Sequence, residues 1–340
     1  MRTPAFWYQP AGPLAWTLAP LGALYGLAGR LRMAWGKPER AGAPVICVGN
    51  LVAGGAGKTP VSIAVADALR ARGVEPAFLT RGHGGRERGP LAVDLARHEA
   101  ADVGDEALLL AAHGPCWVAR DRAAGARAAV AGGAQALVMD DGFQNPGLAK
   151  DLSLIVVDGG VGFGNGFLVP AGPLREPVAR GLARADAVVV VGEDKAGVAH
   201  RVGPRLPVLH ARLEPAAETR ALAGRAVLAF AGIGRPEKFF ATLDSLGARV
   251  VDRIGFADHH PYRPEEIMAL VDRAAMLSAE LVTTAKDAAR LPDPLRALVR
   301  VVPVRVVWRD PAALDRLLDQ RFGQLSGPLF EREGPHGETA

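Results

Sequence analysis

The run Gly54-Gly55-Ala56-Gly57-Lys58-Thr59 is the part of the chain whose residue types and spacing restrict its chemistry most narrowly. Closely spaced glycines let successive backbone N–H groups turn onto one anion. A lysine at the end of the run adds a point charge, and the next hydroxyl suits a magnesium ion. The apolar Val45-Ile46-Cys47-Val48 before the loop reads as a buried strand, and Val61 to Arg70 after it reads as a helix. A phosphate held there sits at a helix N-terminus, where the dipole favours negative charge. The expected nucleotide contacts are Val52, Ala53, Gly54, Gly55, Ala56, Gly57, Lys58 and Thr59, with Lys58 neutralising the β- and γ-phosphates. Val52 stands where such loops usually begin with glycine. A glycine-rich turn that binds nothing is the competing reading. It is weakened by the intact Gly-Lys-Thr at the helix start and by the scarcity of lysine, of which the chain has six.

Acids follow other apolar runs. Ala136-Leu137-Val138-Met139 has a buried-strand pattern and ends in Asp140-Asp141-Gly142-Phe143-Gln144. An acid delivered to the C-terminal end of a parallel strand is how phosphate-loop proteins hold a metal opposite the loop. An ordinary Asp-Gly turn is the alternative, and either acid can be the structural one. Asp105-Glu106 opens a helix, where the macrodipole favours acids with no function attached. Asp258-His259-His260 follows the strand 249–256, and Thr283-Thr284-Ala285-Lys286-Asp287 follows another. Taken locally, neither has a fixed role: loop histidines are commonly solvated, and Lys286 fits a basic contact or a simple strand-to-helix turn. No second cluster of His and Cys has metal-ligand spacing.

These residues need a scaffold, and 340 residues suggest two domains. Strands near 45–50, 75–81, 116–118, 136–140, 152–158, 187–191 and 207–210 alternate with helices. They predict a phosphate-loop α/β domain over 41–212, built on a doubly wound parallel sheet. A linker is expected over 213–225. A smaller α/β domain is expected over 226–326, with strands near 226–231, 249–255, 280–284 and 301–307, then a disordered tail over 327–340. Cys47 and Cys116 are far apart and flanked by apolar residues, so they read as reduced core residues.

The net charge of +4 sits in residues 1–40, where Arg2, Arg30, Arg32, Lys37 and Arg40 face the single acid Glu39. The remainder is balanced, which argues against a nucleic-acid partner and for a membrane surface. Between Arg2 and Arg30 there is no charge, and Phe6, Trp7, Tyr8, Leu14, Trp16, Leu21, Leu24 and Leu27 make the stretch greasy. Pro13, Pro20, Gly22, Gly26 and Gly29 interrupt it. A helix lying in the membrane interface suits this pattern; a first helix packed into the protein's own core is the alternative.

In combination these motifs resemble the tetraacyldisaccharide 4′-kinase family. The resemblance rests on Val48-Gly49-Asn50, Gly55-Ala56-Gly57-Lys58-Thr59-Pro60, Arg81-Gly82-His83-Gly84-Gly85, Gly104-Asp105-Glu106 and Asp140-Asp141-Gly142-Phe143-Gln144. It continues through Gly164-Asn165-Gly166, Pro170-Ala171-Gly172-Pro173-Leu174-Arg175-Glu176-Pro177, Phe256-Ala257-Asp258-His259-His260 and Thr284-Ala285-Lys286-Asp287. The resemblance implies transfer of the γ-phosphate of ATP to the 4′-hydroxyl of an acylated glucosamine disaccharide 1-phosphate. It further implies work at the cytoplasmic face of the bacterial inner membrane, with no protein partner indicated. By the same resemblance Asp105 is the catalytic base paired with His259, acting with Lys58. Glu106, Asp140, Asp141 and Gln144 are Mg²⁺ and active-site groups alongside Thr59, and Arg175 and Glu176 lie near the nucleotide. Asn145 and His83 depart from the family's usual histidine and tyrosine. A phosphate-loop ATPase or GTPase switch, a metal-insertion chaperone, or a membrane scaffold that binds nucleotide only for stability are the alternatives. Ala53 counts against the switch and the chaperone, whose loop would carry a lysine there.

Overall fold

Strand β1 (Val45–Gly49) is buried at every position and lies in the interior of a nine-stranded sheet, which explains its unbroken apolar run. The structure is a computed structural model that describes residues 4–323; Arg2 and the tail expected to be disordered lie outside the described residues. The other strands are β2 (Pro76–Thr80), β3 (Leu91–Ala92), β4 (Cys116–Val118), β5 (Ala136–Asp140), β6 (Leu152–Asp158), β7 (Ala187–Val191), β8 (Val208–Pro215), β9 (Ala226–Ala231), β10 (Arg249–Gly255), β11 (Glu280–Thr284), β12 (Arg300–Val302) and β13 (Val304–Trp308). The helices are α1 (Pro13–Trp35), α2 (Lys58–Arg70), α3 (Ala100–Val103), α4 (Asp105–Ala111), α5 (Arg122–Ala131), α6 (Val178–Leu182), α7 (Val198–Val202), α8 (Pro236–Ser245), α9 (Pro264–Met276), α10 (Ala285–Ala288), α11 (Asp293–Arg296) and α12 (Ala313–Phe322).

The large sheet runs β13-β8-β7-β6-β1-β5-β2-β4-β3, and a second runs β10-β9-β11-β12. Pairing is parallel except at the two ends of the large sheet, where β13 meets β8 and β3 meets β4. Side chains alternate across a strand, so Ile46 and Val48 join one core with α2, α4 and α12. Val45 and Cys47 join the other, with α5 and α7. The smaller sheet is likewise covered on both faces, by Phe239 and Leu243 of α8 on one and by Ile267 and Leu270 of α9 on the other. This is the doubly wound parallel sheet with a second, smaller α/β unit that the alternation of elements predicts.

Two expected boundaries are corrected. The strand expected over 301–307 is two strands in different sheets, divided at Pro303. Proline has no N–H to continue a ladder; β12 stays in the small sheet, while β13 pairs antiparallel with β8, Val306 opposite Leu213. The smaller unit is therefore an insertion between β8 and β13, and α12 packs back on α2. The expected linker 213–225 is also shorter than it reads, because β8 continues to Pro215 and a 3₁₀ turn follows at Ala217–Leu222, with Leu222 buried.

The first helix inverts the usual pattern of a core helix. Small residues dock it: Gly22 and Gly26 lie against Leu168, and a Cβ on Gly22 would stand 2.9 Å from the Leu168 carbonyl oxygen. Trp16 adds an edge contact with Phe167, ring centres 4.8 Å apart. The bulky residues Leu14, Leu21, Leu24, Leu27 and Trp35 are exposed. A helix serving the protein's own core would bury them, so the core-helix alternative does not match. Among the described residues, no helix is long and apolar enough to cross a membrane.

Candidate active site

The phosphate loop lies between β1 and α2, at the edge where the strands of the large sheet end. Gly57 caps α2 with φ 87° and Gly54 has φ 115°, a region in which a Cβ is strained. Of the eight expected loop contacts, Gly54 to Thr59 form the turn itself, with Lys58 and Thr59 opening α2. Val52 and Ala53 precede that turn. Val52 is buried in the core and bridges to Leu174, and the Ala53 N–H is spent on the Pro173 carbonyl at 2.7 Å. Position 52, where such loops usually carry glycine, thus anchors the Pro170–Pro177 loop.

Opposite the loop, β5 delivers Asp140 beside Val48 of β1. The Thr59 hydroxyl donates to Asp140 Oδ2 at 3.1 Å and the Ser62 hydroxyl to Oδ1 at 2.8 Å. Burial raises the Asp140 carboxyl to about 7, aided by the neighbouring Glu106 charge and opposed by Lys58. Asp141 follows with φ 51°. Burial would raise it too, but Lys58, whose Nζ is 3.8 Å away, and Arg175 hold it well below the usual carboxylate range. Arg175 grips it with two hydrogen bonds, at 2.7 and 3.1 Å. Gln144 donates to the Asn50 carbonyl at 2.9 Å and to Glu176 at 3.0 Å, and Arg184 holds the other Glu176 oxygen at 2.5 Å.

Of the five residues expected to hold a metal, Thr59 and Asp140 are in direct contact. Among the described residues, no three His, Cys, Asp or Glu groups converge to hold a metal ion. Magnesium needs only one or two protein oxygens when phosphates and waters complete its shell. Thr59 and Asp140, already in contact, fit that demand. Asp141 is committed to Arg175, Glu106 to Lys286, and Gln144 to Asn50 and Glu176.

The third part of the site comes from two distant stretches of chain. Asp105 opens α4 after Gly104, whose φ of 86° turns the chain under the His83 carbonyl. Its Oδ1 accepts the Glu106 N–H at 2.9 Å. From the loop after β10, His259 Nδ1 reaches Asp105 Oδ2 at 3.0 Å, although 154 positions separate them. Lys286 of α10 lies 3.3 Å from His259 Nε2 and 3.2 Å from Glu106 Oε1. An ammonium only donates, so Nε2 accepts and the proton of the neutral ring sits on Nδ1, aimed at Asp105. Burial would raise the Asp105 carboxyl, but the His259 hydrogen bond and the charges of Lys286 and Arg290 outweigh it and hold it below its ordinary value. The ammonium of Lys286 is in turn raised: burial opposes its charge, while Glu106 and Asp105 favour it. His260 turns away, stacks on Phe256 with ring centres 4.8 Å apart, and meets Glu266 at 3.1 Å. The two neighbouring histidines are thus unequal.

Sequence reading missed Ser62, Arg184 and Arg290. Ser62 lies one helical turn after Lys58, so its spacing was a usable signal. Arg290 stands four residues after Lys286, a weak signal in a chain this rich in arginine. Also missed was Asp158 at the end of β6, which takes ion pairs from Arg235 and Lys238 near the start of α8, while Arg235 lies 3.5 Å from the Gly55 carbonyl. These contacts tie the smaller unit to the phosphate loop.

The sequence model of the tetraacyldisaccharide-1-P 4′-kinase family matches residues 14–323. A tetraacyldisaccharide 4′-kinase of Rhodospirillum centenum is 57% identical and covers 100% of both chains. One of Rhodospirillum rubrum is 57% identical over 94% of this chain and 98% of its own. Among solved structures, LpxK from Aquifex aeolicus, crystallised in its "apo" form in complex with ATP, superposes with a TM-score of 0.72. It is 27% identical and covers 91% of this chain and 99% of its own.

A pH test follows from Asp105. A carboxyl held low in the folded chain contributes stability above its unfolded value of about 3.9 and loses it as pH falls through the folded value. Asp105→Asn should therefore lower the Tm by a similar margin at pH 8 and pH 5, with the gap closing only below about pH 4. Thermal melts across that range check it; a gap that closes between pH 8 and pH 5 contradicts the assigned direction.

Proposed function

The chain belongs to the tetraacyldisaccharide-1-P 4′-kinase family, and from that premise we propose how its own residues carry the reaction. It is an ATP-dependent kinase that phosphorylates the 4′-position of the tetraacyldisaccharide 1-phosphate precursor of lipid A. The observation that carries the site reading is the Asp105–His259 contact of 3.0 Å, made between the two α/β units and beside the acids that face the phosphate loop.

In this reading the amides of the Gly54–Thr59 turn and the N-terminus of α2 hold the β- and γ-phosphates, and Lys58 neutralises them. Arg175 keeps Asp141 fixed, so Lys58 is steadied from the side opposite the nucleotide. Thr59 and Asp140 would hold Mg²⁺, which when bound would offset charge on the phosphate oxygens. The 4′-hydroxyl is a weak nucleophile, and the Asp105–His259 pair orients it and accepts its proton as the new O–P bond forms. The bond from the γ-phosphorus to the bridging oxygen breaks in line, and ADP leaves. Lys286 sets the tautomer of His259 before the acceptor arrives. A dry, positively biased setting keeps Asp105 ionised and so ready to share a proton.

The acceptor carries acyl chains, and the enzyme must meet it where those chains are buried. The outward Leu14, Leu21, Leu24, Leu27 and Trp35 of α1, with Arg30, Arg32, Lys37 and Arg40 around its C-terminal end, suit insertion into an interface with cations at the headgroups. In this reading the interface is the cytoplasmic face of the bacterial inner membrane, the side on which ATP is available.

Asp105→Asn should cut transfer from radiolabelled ATP to a detergent-dispersed acylated disaccharide by ~10²–10⁴, the size of a general-base contribution. Binding of Mg-ATP should stay close to wild type. Normal turnover removes Asp105 from the role; lost nucleotide binding makes its contribution structural. For α1, Leu21→Glu with Leu24→Glu should sharply reduce co-sedimentation with anionic liposomes, leaving the melting temperature nearly unchanged because both side chains already face outward. Unchanged sedimentation would sink the membrane role of this helix.

A further inference from the structure

Arg290 is a buried guanidinium to which the steps above give no part. Its side chain is 6% exposed, and an arginine so enclosed is tolerated only when its donors are matched. They are matched in two directions. Within the smaller unit, Nη2 donates to Asp287 Oδ1 at 2.6 Å and to the Gly232 carbonyl at 2.9 Å, and Nη1 donates to the His260 carbonyl at 3.1 Å. The Tyr262 ring lies beside the guanidinium, 5.4 Å from its centre. Toward the nucleotide-binding unit, Nε forms an ion pair at 3.3 Å with Asp105 Oδ2, the oxygen that also meets His259, while its N–H donates to the Lys286 carbonyl at 3.3 Å.

The contacts converge on both members of the acid–base pair. His259 has φ 57°, a left-handed conformation that a residue with a Cβ holds only when its surroundings impose it. The His259 N–H is fixed on the Gly232 carbonyl at 3.1 Å, which is one of the two carbonyls that the Arg290 Nη groups grip. The other belongs to His260, the next residue. Arg290 therefore holds the backbone on either side of the His259 kink and, at the same time, the carboxylate oxygen that His259 must reach. Asp287 is itself immobile: it accepts from Tyr262 at 2.7 Å, from Thr284 at 2.6 Å and from the Gly232 N–H at 2.8 Å. A buried ion pair adds little net stability over a hydrophobic replacement of the same volume. A row of carboxylate, guanidinium, carboxylate and imidazole is better understood as a device for geometry.

Resting on the reading of Asp105 and His259 as the proton-accepting pair, we propose that Arg290 is the positioning residue of that pair, clamping the left-handed His259 loop and the Asp105 carboxylate into one register across the gap between the two α/β units. It touches neither nucleotide nor acceptor, so its loss acts on the chemical step.

The test is a cycle of Arg290→Met, Asp105→Asn and the double variant, assayed for transfer to the acylated disaccharide, with Arg290→Lys beside them. Arg290→Met should lower kcat by about 10–100-fold, as displacing a catalytic group by an ångström does, with KM for ATP within about threefold of wild type. In the Asp105→Asn background the same change should cost less than about threefold more, because its route through Asp105 is gone. Arg290→Lys keeps the charge toward Asp105 and loses the grip on the two carbonyls, so its kcat should lie between those of wild type and Met. A kcat for Arg290→Met within threefold of wild type, beside an inactive Asp105→Asn, overturns the proposal and leaves the pair intact. Losses that multiply fully in the double variant also overturn it. An active Asp105→Asn removes the pair and this proposal with it. If the Met variant does not fold, the Lys variant decides alone: a kcat drop of fivefold or more at unchanged KM supports the clamp, and wild-type kcat refutes it.

Discussion

A carboxylate taken out of water must be surrounded by donors or it will not stay charged. Asp105 meets that constraint in an unusual way: one donor comes from its own helix, another comes from the far unit of the molecule, and the Arg290 charge beside it belongs to that far unit too. The acid cannot be ionised, buried and oriented unless the two sheets are brought together. Local stability and the assembly of a reactive centre thus become one event, and the contacts of Lys286 with both Glu106 and His259 extend the same coupling.

The parallel topology makes this possible. Every strand next to β1 ends on the same edge, so β1 supplies the glycine turn, β5 supplies Asp140 and Asp141, and β6 supplies Asp158, all without long excursions of the backbone. The insertion between β8 and β13 is tethered by two adjacent strands rather than one flexible connection, which limits how it can approach that edge. Asp158, held by Arg235 and Lys238, adds a second point of attachment next to the loop. The part of the chain proposed to meet the acyl-bearing substrate is a different one, α1, whose small residues face the protein and whose large ones face outward.

Much of this was legible before any coordinates. Strands with unbroken apolar runs, such as Val45–Gly49 and Ala136–Asp140, announce themselves because both faces of a parallel sheet are buried. The Gly-Lys-Thr turn is recognisable because backbone geometry and charge demand those residue types at that spacing. The role of Asp105 was not legible locally, since an acid in a first helical turn is favoured for reasons unrelated to chemistry; only the family resemblance singled it out. The pairing of the Ala53 N–H with Pro173 was not legible, because position in a motif does not reveal which way an amide points. The strand break at Pro303 was overlooked because apolar residues continue on both sides of it. Arg290 left only a weak spacing signal, four residues after Lys286: its contacts are with carbonyls and carboxylates brought near by the fold.

The central claim is that stretches of chain more than 150 positions apart, around Asp105 and His259, meet at the γ-phosphate held by Lys58. A crystal structure with a non-hydrolysable ATP analogue, Mg²⁺ and an acylated disaccharide tests it most directly. The account predicts the 4′-oxygen roughly 3–3.5 Å from the γ-phosphorus and within hydrogen-bond reach of Asp105 or His259, with their mutual contact kept. A γ-phosphate seated at Lys58 while the 4′-oxygen lies beyond reach of both residues would contradict it.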